Sequence, residues 1–369
     1  MADRKIRVAV LFGGRSCEHE VSVASALSLV RAIPRERYEV RLIRISREGR
    51  WFTAADPDRL LAAEAPLASE LIPVLLDYAH GRGLLLGAEP GCGWARSQQI
   101  DVVFPLLHGP YGEDGTVQGL LELMDVAYVG SGVVGSAIGM DKEQSRRVFR
   151  AAGLPQVEYL VVRRERWERE REAVLGEIES RFALPLFVKP VSLGSSVGVS
   201  RVAAAGELAA AIDAAAQFDY KVMVEAAALG CREVEVAILG NEAAAASVPG
   251  EIVPAGAFYD YDAKYRDSSS QLIIPARLSA SATARVRELA LRAFRAVEGA
   301  GLARVDFFVG QDDERIYVSE INTIPGFTPI SMYPKLWEAS GIDYPRLIER
   351  LIDLALERQR DKRRTRTAL

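Results

Sequence analysis

Residues 6–46 constrain the fold more than any other stretch of this chain. "IRVAVLFGG" is a short apolar run closed by two glycines, the pattern of a strand buried on both faces that turns sharply at its carboxyl end. "HEVSVASALSLVRAI" then reads as a helix, and "YEVRLIRIS" as a second strand. Strand, helix and strand in that order make a β-α-β unit, so the chain reads as α/β. Its 369 residues are too many for one ordinary core, and two or three domains are expected.

Residues 50–98 read as an elaboration, with Ala/Leu-rich helical pieces and the glycine-rich connector "HGRGLLLGAEPGCG". "DVVFPLLHG" resumes the strands, "TVQGLLELM" is helical, and "DKEQSRRVFRAAG" is a helix stopped by Gly153 and Pro155. "RRERWEREREAVLGEIESRF" reads as a mixed-charge helix with a solvated face, and "ELAAAIDAAAQF" as another helix. "KVMVEAA", "REVEVAIL", "ARVDFFV" and "RIYVSEIN" read as strands of a second α/β region. "DYPRLIERLIDLALERQ" closes the fold as a helix, and the basic tail after it is expected to be disordered. Borders near 131 and 225 divide the chain into 1–130, 131–224 and 225–369.

Several function classes are disfavoured at once. A net charge of −4 leaves no basic footprint for nucleic acid. Cys17, Cys92 and Cys231 form no C-x-x-C pair, which argues against a disulfide framework or zinc ribbon and suits a reducing cytoplasm. No apolar run approaches membrane-spanning length, and the first apolar stretch is too short for a signal sequence. The expectation is a cytoplasmic protein with no nucleic-acid or membrane partner. No G-x-x-x-x-G-K-[ST], H-E-x-x-H or G-x-S-x-G motif occurs.

Several stretches could carry chemistry. "LFVKPVSLGSSVGVS" runs from an apolar strand through Lys189 into a Gly/Ser loop. Such a loop can curl its N–H groups around an anion while the lysine adds a point charge, or it can be a plain hairpin turn with a solvated lysine. "GSGVVG", residues 130–135, matches a dinucleotide fingerprint. The next helix is expected only near Met140 and the next strand ends in Arg163 and Arg164 instead of an acid, so a glycine hinge is the better reading. "YVSEIN" puts Glu320 and Asn322 two apart, on one strand face, and "ARVDFFV" adds Arg304 and Asp306 on another strand. Oxygen ligands in that arrangement suit magnesium, and the apolar surroundings favour this over a row of exposed polar residues. Finally, Glu225 and Glu233 could accept from an adenine and a ribose or be surface glutamates. His108 stands between a strand end and a glycine-rich turn, and "FYDYDAKYRD" is an aromatic loop that is either pinned down or closes over something.

Together "GGRSCEHEVS", "LHGPYGEDGTVQG", "VGSGV" with "MDK", "KPVSLGSSVGVS", "FYDYDAKY", "ARVDFF" and "EINTIPGFTPISMYP" resemble, in order and over nearly the whole chain, the D-alanine–D-alanine ligases. The resemblance implies an ATP-grasp fold of three α/β domains, with the nucleotide between the central and C-terminal domains. It implies ATP-dependent formation of D-alanyl-D-alanine through an acyl phosphate, for peptidoglycan precursor synthesis. It also implies ATP with two Mg2+ (or Mn2+) as cofactors, and a homodimer. By position, Lys142, Lys189, Ser196 and Lys264 would hold phosphates. Glu225, Ala228 and Glu233 would hold adenine and ribose, and Asp306, Glu320 and Asn322 would ligate the metal ions. Glu18 would take the first D-alanine's ammonium with His108 nearby, while Arg304 and the Gly326 N–H would face the oxyanion. Ser331 would take the second D-alanine's carboxylate, Met332 would be a further substrate contact, and Ser195, Tyr265 and Glu18 would hold the mobile loop shut. The tyrosine at 265 matches the dipeptide-forming branch, which favours D-alanine over D-lactate. The segment "AAALG" after Glu225 departs from relatives with longer side chains; the adenine contact there is largely backbone, so ATP binding is expected to survive. A carboxylate–amine ligase of the same fold with another second substrate is the nearest alternative.

Overall fold

The computed structural model describes residues 4–62, 70–77, 83–87, 94–253 and 271–366. Within the first region lie β1 (Ile6–Gly13), α1 (His19–Ala32), β2 (Tyr38–Ile45), β3 (Trp51–Ala54), α2 (Pro57–Leu61), β4 (Leu71–Asp77), β5 (Gly83–Gly87), β6 (Trp94–Gln99), β7 (Val102–Pro105), α3 (Thr116–Leu123) and β8 (Ala127–Tyr128). They form one sheet in the order β6-β5-β4-β3-β2-β1-β7-β8. β1 is buried on both faces, as its continuous apolar run requires. Val8, Val10 and Phe12 enter one core and Ala9 and Leu11 the other. β1 pairs in parallel with β2 on one side and with β7 on the other. The connections from β1 therefore diverge at its carboxyl end, and open α/β sheets take ligands in the crevice at such a point. Glycine is required there: Gly13 has φ +91°, and a Cβ on it would lie 2.4 Å from the Ile45 carbonyl oxygen.

The second sheet is antiparallel, in the order β11-β10-β12-β9. It comprises β9 (Tyr159–Arg163), β10 (Leu186–Pro190), β11 (Ser200–Val202) and β12 (Lys221–Ala226), with α4 (Val133–Met140) and α5 (Lys142–Ala151) preceding it, and α6 (Arg164–Arg169), α7 (Arg171–Arg181) and α8 (Leu208–Ala216) within it. Val162, Val188, Val222 and Val224 turn one face toward Val174, Ile178 and Ile212 of the covering helices. By alternation, Lys189, Lys221, Met223 and Glu225 belong to the other face.

The third sheet runs β16-β15-β13-β17-β18, with β14 paired to β13. Its strands are β13 (Cys231–Gly240), β14 (Ala245–Ala246), β15 (Gly250–Val253), β16 (Gln271–Ile273), β17 (Gly301–Gly310) and β18 (Ile316–Asn322). The helix α9 (Ala280–Ala296) covers one face, packing Leu289 and Phe294 on Val234, Val236, Val305 and Phe307. The last helices, α10 (Met332–Ala339) and α11 (Tyr344–Lys362), return to the first sheet: Leu347, Ile348, Leu351 and Ile352 share a core with Val8, Val10 and Phe104.

Four sequence expectations need correction. Residues 71–77 and 94–99 are strands extending the first sheet, not helical pieces, and 83–87, inside the expected glycine-rich connector, is a strand between them; a short apolar run such as 71–77 does not distinguish strand from helix. A helix begins inside "GSGVVG", at Val133, not near Met140. The dinucleotide reading still fails, because the strands before and after it, β8 and β9, lie in different sheets. The mixed-charge helix is broken at Glu170 into α6 and α7. The basic tail is helical as far as Lys362.

Candidate active site

The site is assembled from the carboxyl ends of β1 and β7, the loop after β10, the N-terminus of α5, and the open face of the third sheet. Glu18 stands at the N-terminus of α1, 5% exposed. Ser16 Oγ accepts from the Glu18 N–H (3.2 Å) and donates to the His108 carbonyl (2.7 Å), tying the loop after β1 to the loop after β7. His108 is buried, and its Nδ1 lies 3.1 Å from the Ile324 carbonyl, so Nδ1 carries the proton and donates. Burial pushes the His108 pKa below its ordinary value although Glu18 pulls the other way, and the neutral ring presents Nε2 as an acceptor. Glu113 accepts the Gly109 N–H (2.7 Å) and the Ile324 N–H. The turn at 108–113 thus grips both main-chain polar groups of Ile324, two residues before Gly326. Burial, reinforced by the Glu18 charge, pushes the Glu113 carboxyl up to about 8.

The loop after β10 reaches this crevice. Ser195 and Ser196 sit at φ +50° and +58°, and Gly198 at +70°. Two consecutive left-handed serines curl the backbone into the concave form expected of an anion cradle. At its tip Ser195 Oγ donates to Glu18 Oε1, so two members of the expected trio meet. Tyr265 and Lys264, with the rest of "FYDYDAKYRD", lie outside the described residues.

The lysines are held by carboxylates. Lys189 Nζ is 2.5 Å from Glu225 Oε2, and the buried guanidinium of Arg146 takes Glu225 Oε1. Burial alone would raise the Glu225 pKa, but Arg146 and Lys189 together hold it below the ordinary carboxylate value. Glu225 is thus a buried anchor for two cations. Lys142 Nζ donates to the Leu193 carbonyl of the loop (2.6 Å) and lies 3.6 Å from Glu320 Oε2. Ala228 is half-buried in the turn after β12, and Glu233 lies within β13.

On the third sheet, Asp306 pairs directly with Glu320 and Arg304 with Asn322 across β17 and β18. This cross-strand register places the four side chains together on the face opposite Val305 and Phe307, as the two-residue spacing required. Arg304 binds Asp306 through Nε and a terminal nitrogen (2.7 and 2.6 Å), and Asn322 Nδ2 donates to Asp306 Oδ2 (3.0 Å). Arg304 also lies 3.0 Å from Glu235 Oε2. Burial opposes its charge, but Asp306 and Glu235 outweigh that and hold its pKa well above the ordinary value. Among the described residues no three His, Cys, Asp or Glu side chains converge as a metal cluster. The set here is two carboxylates and an amide, all able to offer oxygen, which fits a hard divalent cation. Ser331 precedes the first turn of α10; its hydroxyl engages Thr328, and a side chain on Gly326 would come within 3.1 Å of it. Met332 is buried at the first helical position.

Arg146, Glu113, Glu235 and Lys221 were not singled out from the sequence. Arg146 had a usable signal, its place one helical turn beyond Lys142. Lys221 and Glu225 are four apart in a strand and share a face.

A Gly/Ser loop flanked by Lys189 of β10 and Lys142 of α5, set against a sheet face of acidic and amide side chains, is the ATP-grasp arrangement. A family model described as D-ala D-ala ligase N-terminus matches residues 7–131, and one described as D-ala D-ala ligase C-terminus matches residues 148–353. The chain is 48% identical to a D-alanine–D-alanine ligase of Heliobacterium modesticaldum, covering 98% of each, and 47% identical to one of Chloroherpeton thalassium, covering 97% of this chain and 98% of the other. Among solved structures, the D-alanine–D-alanine ligase of Coxiella burnetii is similar with a TM-score of 0.83 at 37% identity, covering 98% of this chain and 97% of the other. VanG, a D-Ala:D-Ser ligase of Enterococcus faecalis, is similar with a TM-score of 0.84 at 34% identity, covering 95% of this chain and all of the other. The chain belongs to the D-alanine–D-alanine ligase family.

Proposed function

We infer that the protein uses ATP to join two D-alanines into D-alanyl-D-alanine for cell-wall precursor synthesis. Beyond family membership, one observation supports this: Ser195 at the tip of the loop after β10 meets Glu18 at the divergence point of the first sheet. That contact sets a buried carboxylate, suited to an amino acid's ammonium, beside the cradle and lysines suited to phosphates.

In this reading Glu18 binds the first D-alanine's ammonium, and the neutral His108 offers Nε2 as a further acceptor without competing positive charge. Lys142 and Lys189, with the backbone of the loop and Ser196, hold the ATP phosphates, and Lys264 joins them. The turn around Ala228 and the side chains of Glu225 and Glu233 hold the nucleoside, and Glu225 also anchors Lys189. The first D-alanine's carboxylate attacks the γ-phosphorus, ADP leaves, and an acyl phosphate results. Such transfers depend chiefly on positioning and on charge stabilisation. Asp306, Glu320 and Asn322 would hold two magnesium ions, which when bound neutralise phosphate charge. The second D-alanine's carboxylate lies at Ser331 and Met332, where the N-terminus of α10 favours an anion. Its amine attacks the acyl carbon, the oxyanion is met by Arg304 and the Gly326 N–H, and phosphate leaves. Ser195, Glu18 and Tyr265 keep the loop closed, which excludes water from the acyl phosphate.

The three sheets correspond to three domains, close to 1–130, 131–224 and 225–369, and the protein works in the cytoplasm as a homodimer. No helix among the described residues is long and apolar enough to cross a membrane. The test is phosphate release with ATP, magnesium and a panel of D-alanine, D-serine, D-lactate and L-alanine, with products identified by mass. D-alanyl-D-alanine should dominate. Absence of D-alanine-dependent turnover, or comparable D-alanyl-D-lactate formation at pH 7, overturns the reading.

A further inference from the structure

The loop after β10 and the helix carrying Lys142 meet at a buried cation that the reaction does not use. Lys221 opens β12 and is 2% exposed. Its Nζ lies 2.5 Å from Asp141 Oδ2 and 3.1 Å from Glu143 Oε2. These two acids flank Lys142, and the Asp141 side chain also caps α5 by accepting the Gln144 N–H (3.0 Å). The Lys221 backbone holds the other partner. Its carbonyl accepts the Val191 N–H (3.2 Å), and the Val191 carbonyl accepts the Lys142 N–H (3.1 Å). Asp219, itself buried, closes the figure by accepting the Ser192 N–H (2.7 Å) and the Lys221 N–H (3.0 Å).

One residue thus touches both sides of a corner. Through its side chain it fixes the N-terminus of α5, and through its main chain it fixes the residue at which the loop leaves β10. Burial opposes the Lys221 charge, yet hydrogen bonds to Asp141 and Glu143 outweigh it and raise the lysine's pKa. A cation held this firmly keeps one geometry.

We propose that Lys221 is a positioning residue for phosphate binding: by clamping Asp141 and Glu143 to the root of the loop at Val191, it sets the distance between Lys142 and the anion cradle. The inference rests on the nucleotide reading above.

The test compares the full-length wild type with Lys221→Met and Lys221→Arg. In the nucleotide-free protein, hydrogen exchange at the Lys142 and Ser192 amides should be faster in Lys221→Met, while amides in the core of the first sheet are unchanged. ADP with magnesium should bind about tenfold more weakly, and the KM for ATP should rise about tenfold, since small misplacements at a reacting centre are costly. The KM for D-alanine should stay within about twofold, because its subsite lies on other elements. Lys221→Arg should restore both exchange and affinity. Unchanged exchange and affinity in folded Lys221→Met, an Arg variant as impaired as Met, or a joint shift of both KM values overturns the proposal. If Lys221→Met fails to fold, Glu143→Gln should show the same selective pattern in weaker form, and a wild-type profile there overturns the proposal equally. A wild type that binds ADP but makes no dipeptide refutes the ligase reading alone; exchange and ADP binding still decide the role of Lys221.

Discussion

Replacing Glu113 by glutamine should change how stability depends on pH. In the folded protein, burial and the Glu18 charge raise this carboxyl from 4.5 to about 8. Below about pH 4.5 folded and unfolded chains both hold the proton, and the group is neutral to folding. Above that the unfolded chain releases it and the folded chain keeps it, so stability falls by about 1.4 kcal/mol per pH unit until about pH 8. From pH 5.5 to 7.5 this one group removes about 3 kcal/mol, as an order of magnitude. Glutamine does not titrate, so the variant lacks that loss. Whatever the substitution costs at the Gly109 and Ile324 N–H groups is the same at both pH values and cancels. Urea unfolding followed by tryptophan fluorescence, for both proteins at pH 5.5 and 7.5, gives the double difference. The variant should gain about 3 kcal/mol relative to wild type between the two pH values. Parallel pH dependence would refute the claim that Glu113 folds as the neutral acid.

Three further changes probe the site and its frame. Arg146→Met leaves the buried Glu225 with Lys189 alone and should destabilise by about 3–5 kcal/mol, read by calorimetry; a loss under about 1 kcal/mol removes the anchor role. Gly135→Ala puts a Cβ 2.7 Å from the Glu298 carbonyl and 3.1 Å from that of Val297, so a loss of about 1–3 kcal/mol is expected in thermal melts, and a neutral result would show that α4 can shift. Glu18→Gln should raise the KM for D-alanine at the first subsite by about tenfold or more through loss of a charge-assisted bond, with little change for ATP; the reverse pattern in steady-state kinetics would move Glu18 out of the amino-acid subsite.

The parts of the site legible in the sequence are those that local periodicity encodes. Glu320 and Asn322 share a face because strand side chains alternate, and the observed pairing sets Asp306 and Arg304 opposite them. The doubly buried β1 showed in its unbroken apolar run. The ionic pairs that hold the lysines did not show. Arg146 meets Glu225 across 79 positions and Lys221 meets Asp141 across 80, and charge pairing over such separations leaves no period to read. The strands between 71 and 99 were missed for a different reason. The short apolar runs of β4 and β5 fit either period, β6 has no such run, and the successive pairings of β4 with β3, β5 with β4 and β6 with β5 decide between them. "GSGVVG" misled because glycine serves packing as well as turns: Gly135 is where α4 passes against the main chain at 297–298.

The return of α11 to the first sheet has a consequence for how the chain is made. Arg358 donates to the Tyr128 carbonyl across 230 positions, and its guanidinium stacks on the Tyr128 ring at 4.4 Å. During synthesis the amino-terminal sheet must therefore wait, one apolar flank uncovered, until nearly the whole polypeptide has left the ribosome. The central sheet closes within its own neighbourhood and needs no such delay. Topologically local units mature first, so the middle of the chain should become protease-resistant on the ribosome before its beginning does. Nascent chains halted before Tyr344 should accordingly protect residues 159–226 and remain cleavable within 6–128; early protection of the amino-terminal sheet would show that it can cover that flank without α11.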